Sequence, residues 1–129
     1  MTLATAAFLV AHGLIHLAFL QRPPAQTAGG PIWPFDLQAS WIADRMGLGA
    51  HVRRAIGVTL VVVTTLAWTV AGLTLLGVAP SGLWLASIGV GAVSSLVVLG
   101  GWFHRWLTLG IVIDLALWWA IIEAGWRPT

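Results

Sequence analysis

The sequence predicts an all-α polytopic membrane protein: a single domain over residues 1–129 built as a bundle of four transmembrane helices. The first observation is composition. Of 129 residues, 59% are apolar and only 8% charged, against about 45–50% and about 25% in a typical soluble domain. Six arginines and four carboxylates cannot supply the solvated surface a soluble chain of this length needs. The second is the layout of that apolar character in four runs, 3–20, 55–78, 82–100 and 106–124. Each is close to the roughly 20 residues that cross a hydrocarbon core about 30 Å thick.

The first run has no basic residue before it and exceeds the roughly 7–15 residues of a signal-peptide core, so it is predicted to be a retained helix. In lipid each backbone polar group must be satisfied within its own segment, so all four runs are predicted helical despite their many Val, Ile and Thr residues. In the third run Ser87, Gly91 and Ser95 recur every four residues, a stripe that lets a neighbouring helix approach closely. Trp33, Trp84, Trp102, Trp106 and Trp126 fall at or beyond the run ends and are expected to mark the headgroup zone. Trp68, Trp118 and Trp119 lie inside runs, where packing is their expected role. The loop over 21–54 is the one sizeable extramembrane segment. Its Pro- and Gly-rich stretch from Arg22 to Pro31 is predicted irregular, and Asp36 is predicted to cap a short interfacial helix over 37–46 that ends at Gly47.

The net charge of +2 comes from arginine, since the chain has no lysine, and these sparse charges do not form the clustered footprint of a nucleic-acid binder. They bear instead on orientation. Arg22, Arg45, Arg53 and Arg54 lie in the long loop, Arg105 lies in the third connection on the same side, and only Arg127 lies opposite. This bias places the loop and third connection in the cytoplasm and both termini outside, in a multi-pass protein of the cell membrane whose first partner is the lipid bilayer. With no cysteine, thiolate metal sites and thiol catalysis are excluded, and a metal would depend on His, Asp or Glu. No phosphate-binding glycine loop, nucleotide motif or Ser/His/Asp order is present, so no residue is assigned a catalytic role.

His12 and His16 stand four residues apart, on one face of the first helix and about a turn from each other. A polar group facing lipid is expensive, so such groups turn inward and find partners. At about 1.5 Å per residue, His12 lies roughly 12 Å from Leu20, and Asp114 roughly 12 Å from Trp106, both measured from the cytoplasmic ends of their helices. The two therefore fall at one depth. His16 sits a turn nearer the cytoplasm and His104 nearer still, giving a graded polar path. Several readings remain open. His12, His16 and Asp114 form a ligand set for a divalent metal; a His on the first helix with His104 opposite suits haem; the same groups suit a proton or quinone site; or His12 and Asp114 simply fix the packing.

The segment Phe8-Leu9-Val10-Ala11-His12-Gly13-Leu14-Ile15-His16-Leu17, followed by a long loop and three closely spaced helices, resembles the DoxX-like family of small four-helix bacterial membrane proteins. That family often carries F-L-x-x-H-G late in its first helix, and commonly Lys-Leu where this chain has His16-Leu17. The resemblance implies a membrane accessory subunit linked to quinone or sulfur redox chemistry. Three functions follow as expectations. One is a redox or ligand-binding protein holding a metal, haem or quinone at His12, His16, His104 and Asp114. Another is a non-catalytic subunit assembled with a membrane-protein partner or with copies of itself. The third is a transporter or channel for protons or small ions.

Overall fold

The computed structural model describes residues 2–25, 28–30 and 32–123, apart from the side chain of Ile122. Trp126 and Arg127, invoked above for the outer interface, lie outside the described residues. Among the described residues every regular element is helical and there is no strand. Helix α1 (Thr2–Ile15) tightens into a 3₁₀ segment, His16–Leu20. The short α2 (Trp41–Arg45) lies in the loop, and α3 (Ala50–Leu75), α4 (Trp84–Gly101) and α5 (Thr108–Ile122) follow, with 3₁₀ turns at Ser81–Leu83 and Arg105–Leu107. Among the described residues three segments are long and apolar enough to cross a membrane: Thr2–Leu20, Ala50–Leu75 and Ser81–Gly101.

The chain leaves the 3₁₀ segment after α1 extended at Gln21, and Pro23 disfavours any return to the α region at Arg22. Helix α3 begins at Ala50, five residues before the apolar run, so His51, Arg53 and Arg54 belong to its first turns rather than to the loop. It ends at Leu75, where Gly77 takes the positive φ of 71° that a left-handed turn requires, releasing Val78.

Helix α3 packs along both α1 and α4, and α4 packs on α5; no comparably extensive packing joins α1 to α5 among the described residues. The approach of α1 to α3 depends on two glycines. A Cβ on Gly13 would lie 2.8 Å from Trp68 Cβ, and one on Gly72 would lie 2.9 Å from the Ala6 carbonyl oxygen. The Ser87, Gly91 and Ser95 face of α4 is buried as its spacing predicts, and the room left at Gly91 is filled by the Trp68 ring, 3.1 Å from where a Cβ would stand.

The interior is layered along the helix axes. At one end Leu9, Trp68, Ala71, Trp84, Ile88 and Ala92 pack together with Ile121. At the other, Phe19, Val61, Val98, Leu99, Trp102 and Leu107 pack with Leu37 from the loop. Between the two apolar clusters every long helix contributes polar groups: His12 and His16, Thr64 and Thr65, Ser94 and Ser95, and Asp114, all buried. Trp84 and Trp102 differ from their expected role as interfacial markers. Both are buried, because their rings close the two ends of the core, and the Trp102 indole N–H donates to the Leu37 carbonyl at 2.8 Å.

The loop closes the Trp102 end. Its helix starts at Trp41, later than expected, and is capped by Ser40 rather than Asp36. Asp36 instead accepts from the Gln38 backbone N–H at 2.8 Å in a turn that also bonds Ala39 N–H to the Asp36 carbonyl. The Ser40 hydroxyl accepts from Ala43 N–H and donates to the Gly101 carbonyl at 2.9 Å, while the Trp41 indole donates to Gly100 at 2.6 Å. The loop helix and its cap thereby satisfy two of the carbonyls at the end of α4, those of Gly100 and Gly101. Gly47, with φ of 65°, ends that helix as expected. Arg53 fastens the loop to α3 by donating to the carbonyls of Gln38 and Leu48 and to Asp44 Oδ1.

Candidate functional site

The polar layer is assembled by hydrogen bonds between helices. His12 Nε2 lies 2.7 Å from Asp114 Oδ1, joining α1 to α5, and Asp114 is wholly buried. His16 Nδ1 donates to the His12 carbonyl at 2.9 Å, which leaves Nε2 of a neutral ring to accept the Ser95 hydroxyl at 2.7 Å and ties α1 to α4. Thr65 donates to the Gly13 carbonyl at 3.0 Å, and Thr64 to Ser94 at 2.8 Å, fixing α3 against α1 and α4. The His12 ring is boxed by Phe8, stacked at 6.0 Å, and by the edges of His16 and Trp68 at 5.5 and 5.2 Å.

The depth match of His12 with Asp114 therefore holds as a direct contact. The wider set does not converge. His16 spends one ring nitrogen on its own helix backbone and the other on Ser95, so it does not turn toward the carboxylate. Among the described residues no group of three or more His, Asp or Glu side chains is placed to hold a metal ion, and the expected set of His12, His16 and Asp114 does not fit one. His104 stands apart: its Nδ1 accepts from the Trp106 N–H at 3.3 Å and caps the Arg105–Leu107 turn. It is not among the residues that line the pocket beside His12 and His16, where an axial partner for haem would stand. Nor do the bonded groups form an unbroken proton path, since the link from His12 to His16 runs through a backbone carbonyl, which accepts a hydrogen bond but carries no proton to pass on.

Beside this layer, in the seam that α1 and α5 leave unpacked, lies a pocket of about 150 Å³. His12 and His16 form part of its wall; the rest is apolar, with Phe19 and Leu107 buried and Phe35 reaching in from the loop. Phe35 meets Phe19 edge to face at 5.2 Å. Ile15, Trp106 and Leu109 at the rim are exposed, so the pocket opens sideways between the two helices.

Sequence reasoning placed His12, His16 and Asp114 inside the bundle but missed Ser95 as the partner of His16, having assigned it to packing alone. Counting residues from the helix ends carried that signal. Ser95 is six residues from Gly101, about 9 Å at α-helical rise, and His16 is four from Leu20, about 8 Å at 3₁₀ rise. The apolar pocket wall left no comparable mark, since any residue of a lipid-facing run looks the same. Compared with models of protein families, with curated proteins and with solved structures, the chain matches none.

Proposed function

We propose that the chain crosses the bilayer four times and receives the ring of a quinone-type, lipid-soluble molecule in the pocket between α1 and α5. Length and charge support the fourth crossing. The 15 residues of α5 rise about 22 Å and the preceding 3₁₀ turn about 6 Å, which together approach the roughly 30 Å of a hydrocarbon core. Its one ionisable group, Asp114, is turned inward onto His12. The arginine bias then puts the loop and the Trp102 end of the bundle in the cytoplasm and the two termini outside.

The observation that carries the ligand reading is the pocket's size and wall. An apolar cavity of about 150 Å³ holds one benzene-sized ring, whereas sites for larger cofactors run to about 300–1,000 Å³. A single ring fits and a porphyrin does not. The sideways opening supports delivery from the hydrocarbon phase, with an alkyl tail left among the lipids, and the His12 imidazole gives the ring's polar edge a side chain to face.

Binding of decylbenzoquinone to the protein in lipid nanodiscs tests this. Saturable binding is expected in the wild type, and Ile113→Phe, which places a ring into the pocket from α5, should abolish it while leaving the unfolding midpoint in place. Wild-type binding no different from that of empty nanodiscs would refute the reading.

A further inference from the structure

Of the four ring nitrogens of His12 and His16, three are engaged: His12 Nε2 with Asp114, His16 Nδ1 with the His12 carbonyl, and His16 Nε2 with Ser95. His12 Nδ1 has no hydrogen-bond partner among the described residues. It is also not sealed in the way that Trp68 Nε1 and Asp114 Oδ2 are, both buried without partners. Its open side belongs to a residue that lines the pocket.

Where the protons of the His12–Asp114 pair reside decides what this nitrogen offers. A net charge in so dry a place is very costly, so the pair as a whole is neutral and holds two protons. One lies in the bridge between Nε2 and Oδ1. Whether the bridging proton sits nearer nitrogen or oxygen, the second proton then falls on Nδ1. The remaining arrangement would put it on Oδ2, sealing an O–H donor with no acceptor, which proteins avoid more strictly than an under-used acceptor oxygen.

Resting on the pocket reading above, we infer that His12 Nδ1–H donates into the pocket and that the site selects a carbonyl oxygen: the dione form of the ring over its hydroquinone form. Asp114 is a positioning residue, holding the imidazole so that its free edge is a donor. A hydroquinone brings an O–H that finds no acceptor there, because His16 is spent and Asp114 Oδ2 is sealed. An unmet buried hydroxyl costs about a factor of ten or more in affinity.

The test compares three ligands on the wild-type protein in nanodiscs: decylbenzoquinone, decylhydroquinone kept reduced under argon, and decylbenzene. The dione is expected to bind about tenfold more tightly than either of the others. Its carbonyl stretch should move to lower frequency on binding, a shift that disappears in the double variant His12→Phe/Asp114→Leu, which removes both partners and strands no charge. Hydroquinone binding as tight as the dione, or tighter, would overturn the proton assignment. Equal binding of all three would overturn recognition by His12 while leaving a ring-binding pocket intact, and binding of none would remove both.

Discussion

The contact between α1 and α3 at Gly13 allows a quantitative test of how the polar layer is held in register. In Gly13→Ala the new methyl would meet Trp68 Cβ at 2.8 Å and the Thr65 carbonyl at 3.1 Å, and neither is the free end of a flexible side chain. The helices must separate. Overpacking of this kind costs about 1–3 kcal/mol, and the Thr65 to Gly13 hydrogen bond lost with it adds about 0.6–1.7 kcal/mol. Against this, alanine is favoured over glycine in a helix by about 1 kcal/mol. A net loss of roughly 0.6–3.7 kcal/mol remains. Gly89→Ala is the matched control, because its methyl would find only Trp118, at 3.9 Å, and should be neutral or mildly stabilising. Reversible unfolding in mixed micelles, followed by circular dichroism, measures both. If Gly13→Ala proves as stable as Gly89→Ala, the close approach of α1 and α3 is wrong.

Asp114→Leu leaves a buried ring nitrogen of His12 without its partner and should destabilise the bundle by about 1–3 kcal/mol, whereas His12→Phe/Asp114→Leu should recover most of that loss, as replacement of both members of a buried pair often does. Equal stability of the single and double variants in the same unfolding assay would argue against a direct pair. At the loop, Asp44→Ala should cost at most about 1 kcal/mol, since its bond to Arg53 is largely exposed on the carboxylate side. Arg53→Ala also releases the carbonyls of Gln38 and Leu48, so limited proteolysis within 21–49 should quicken markedly for Arg53→Ala and little for Asp44→Ala; similar rates would count against the clamp. For orientation, a lone cysteine from Thr129→Cys should react with an impermeant maleimide in intact cells and one from Gln21→Cys only after permeabilisation, the reverse pattern inverting the topology.

The features that lipid dictates were legible in the sequence. On the expectation of four spans Asp114 and His12 turn inward at one depth, so counting residues along two helices was enough to bring together a pair that is in contact. The helical state of α3, rich in β-branched residues, followed from solvent rather than propensity. What was not legible depends on rotation about helix axes and on the loop's path. Trp84 and Trp102 lie where interfacial tryptophans are expected, yet their helices turn both rings into the core, and Trp102 then holds the backbone of Leu37. The same anchor explains why Asp36 governs a turn and Ser40 caps the helix: Leu37 is drawn down beside Gly57, and the chain can coil only after it has crossed to the end of α4. Convergence of His16 on the carboxylate failed for a similar reason, because its ring is aimed at Ser95 on α4.

The central claim, that a lipid-soluble ring enters between α1 and α5 beside His12, is tested most directly by photolabelling. An azido-substituted decylbenzoquinone activated in nanodiscs, followed by peptide mass spectrometry, should mark residues within 12–19 and 106–113, with competition by unlabelled decylbenzoquinone and loss of label in Ile113→Phe. Label spread without competition over the exposed surface of α3, at Val62 and Leu66, would contradict it.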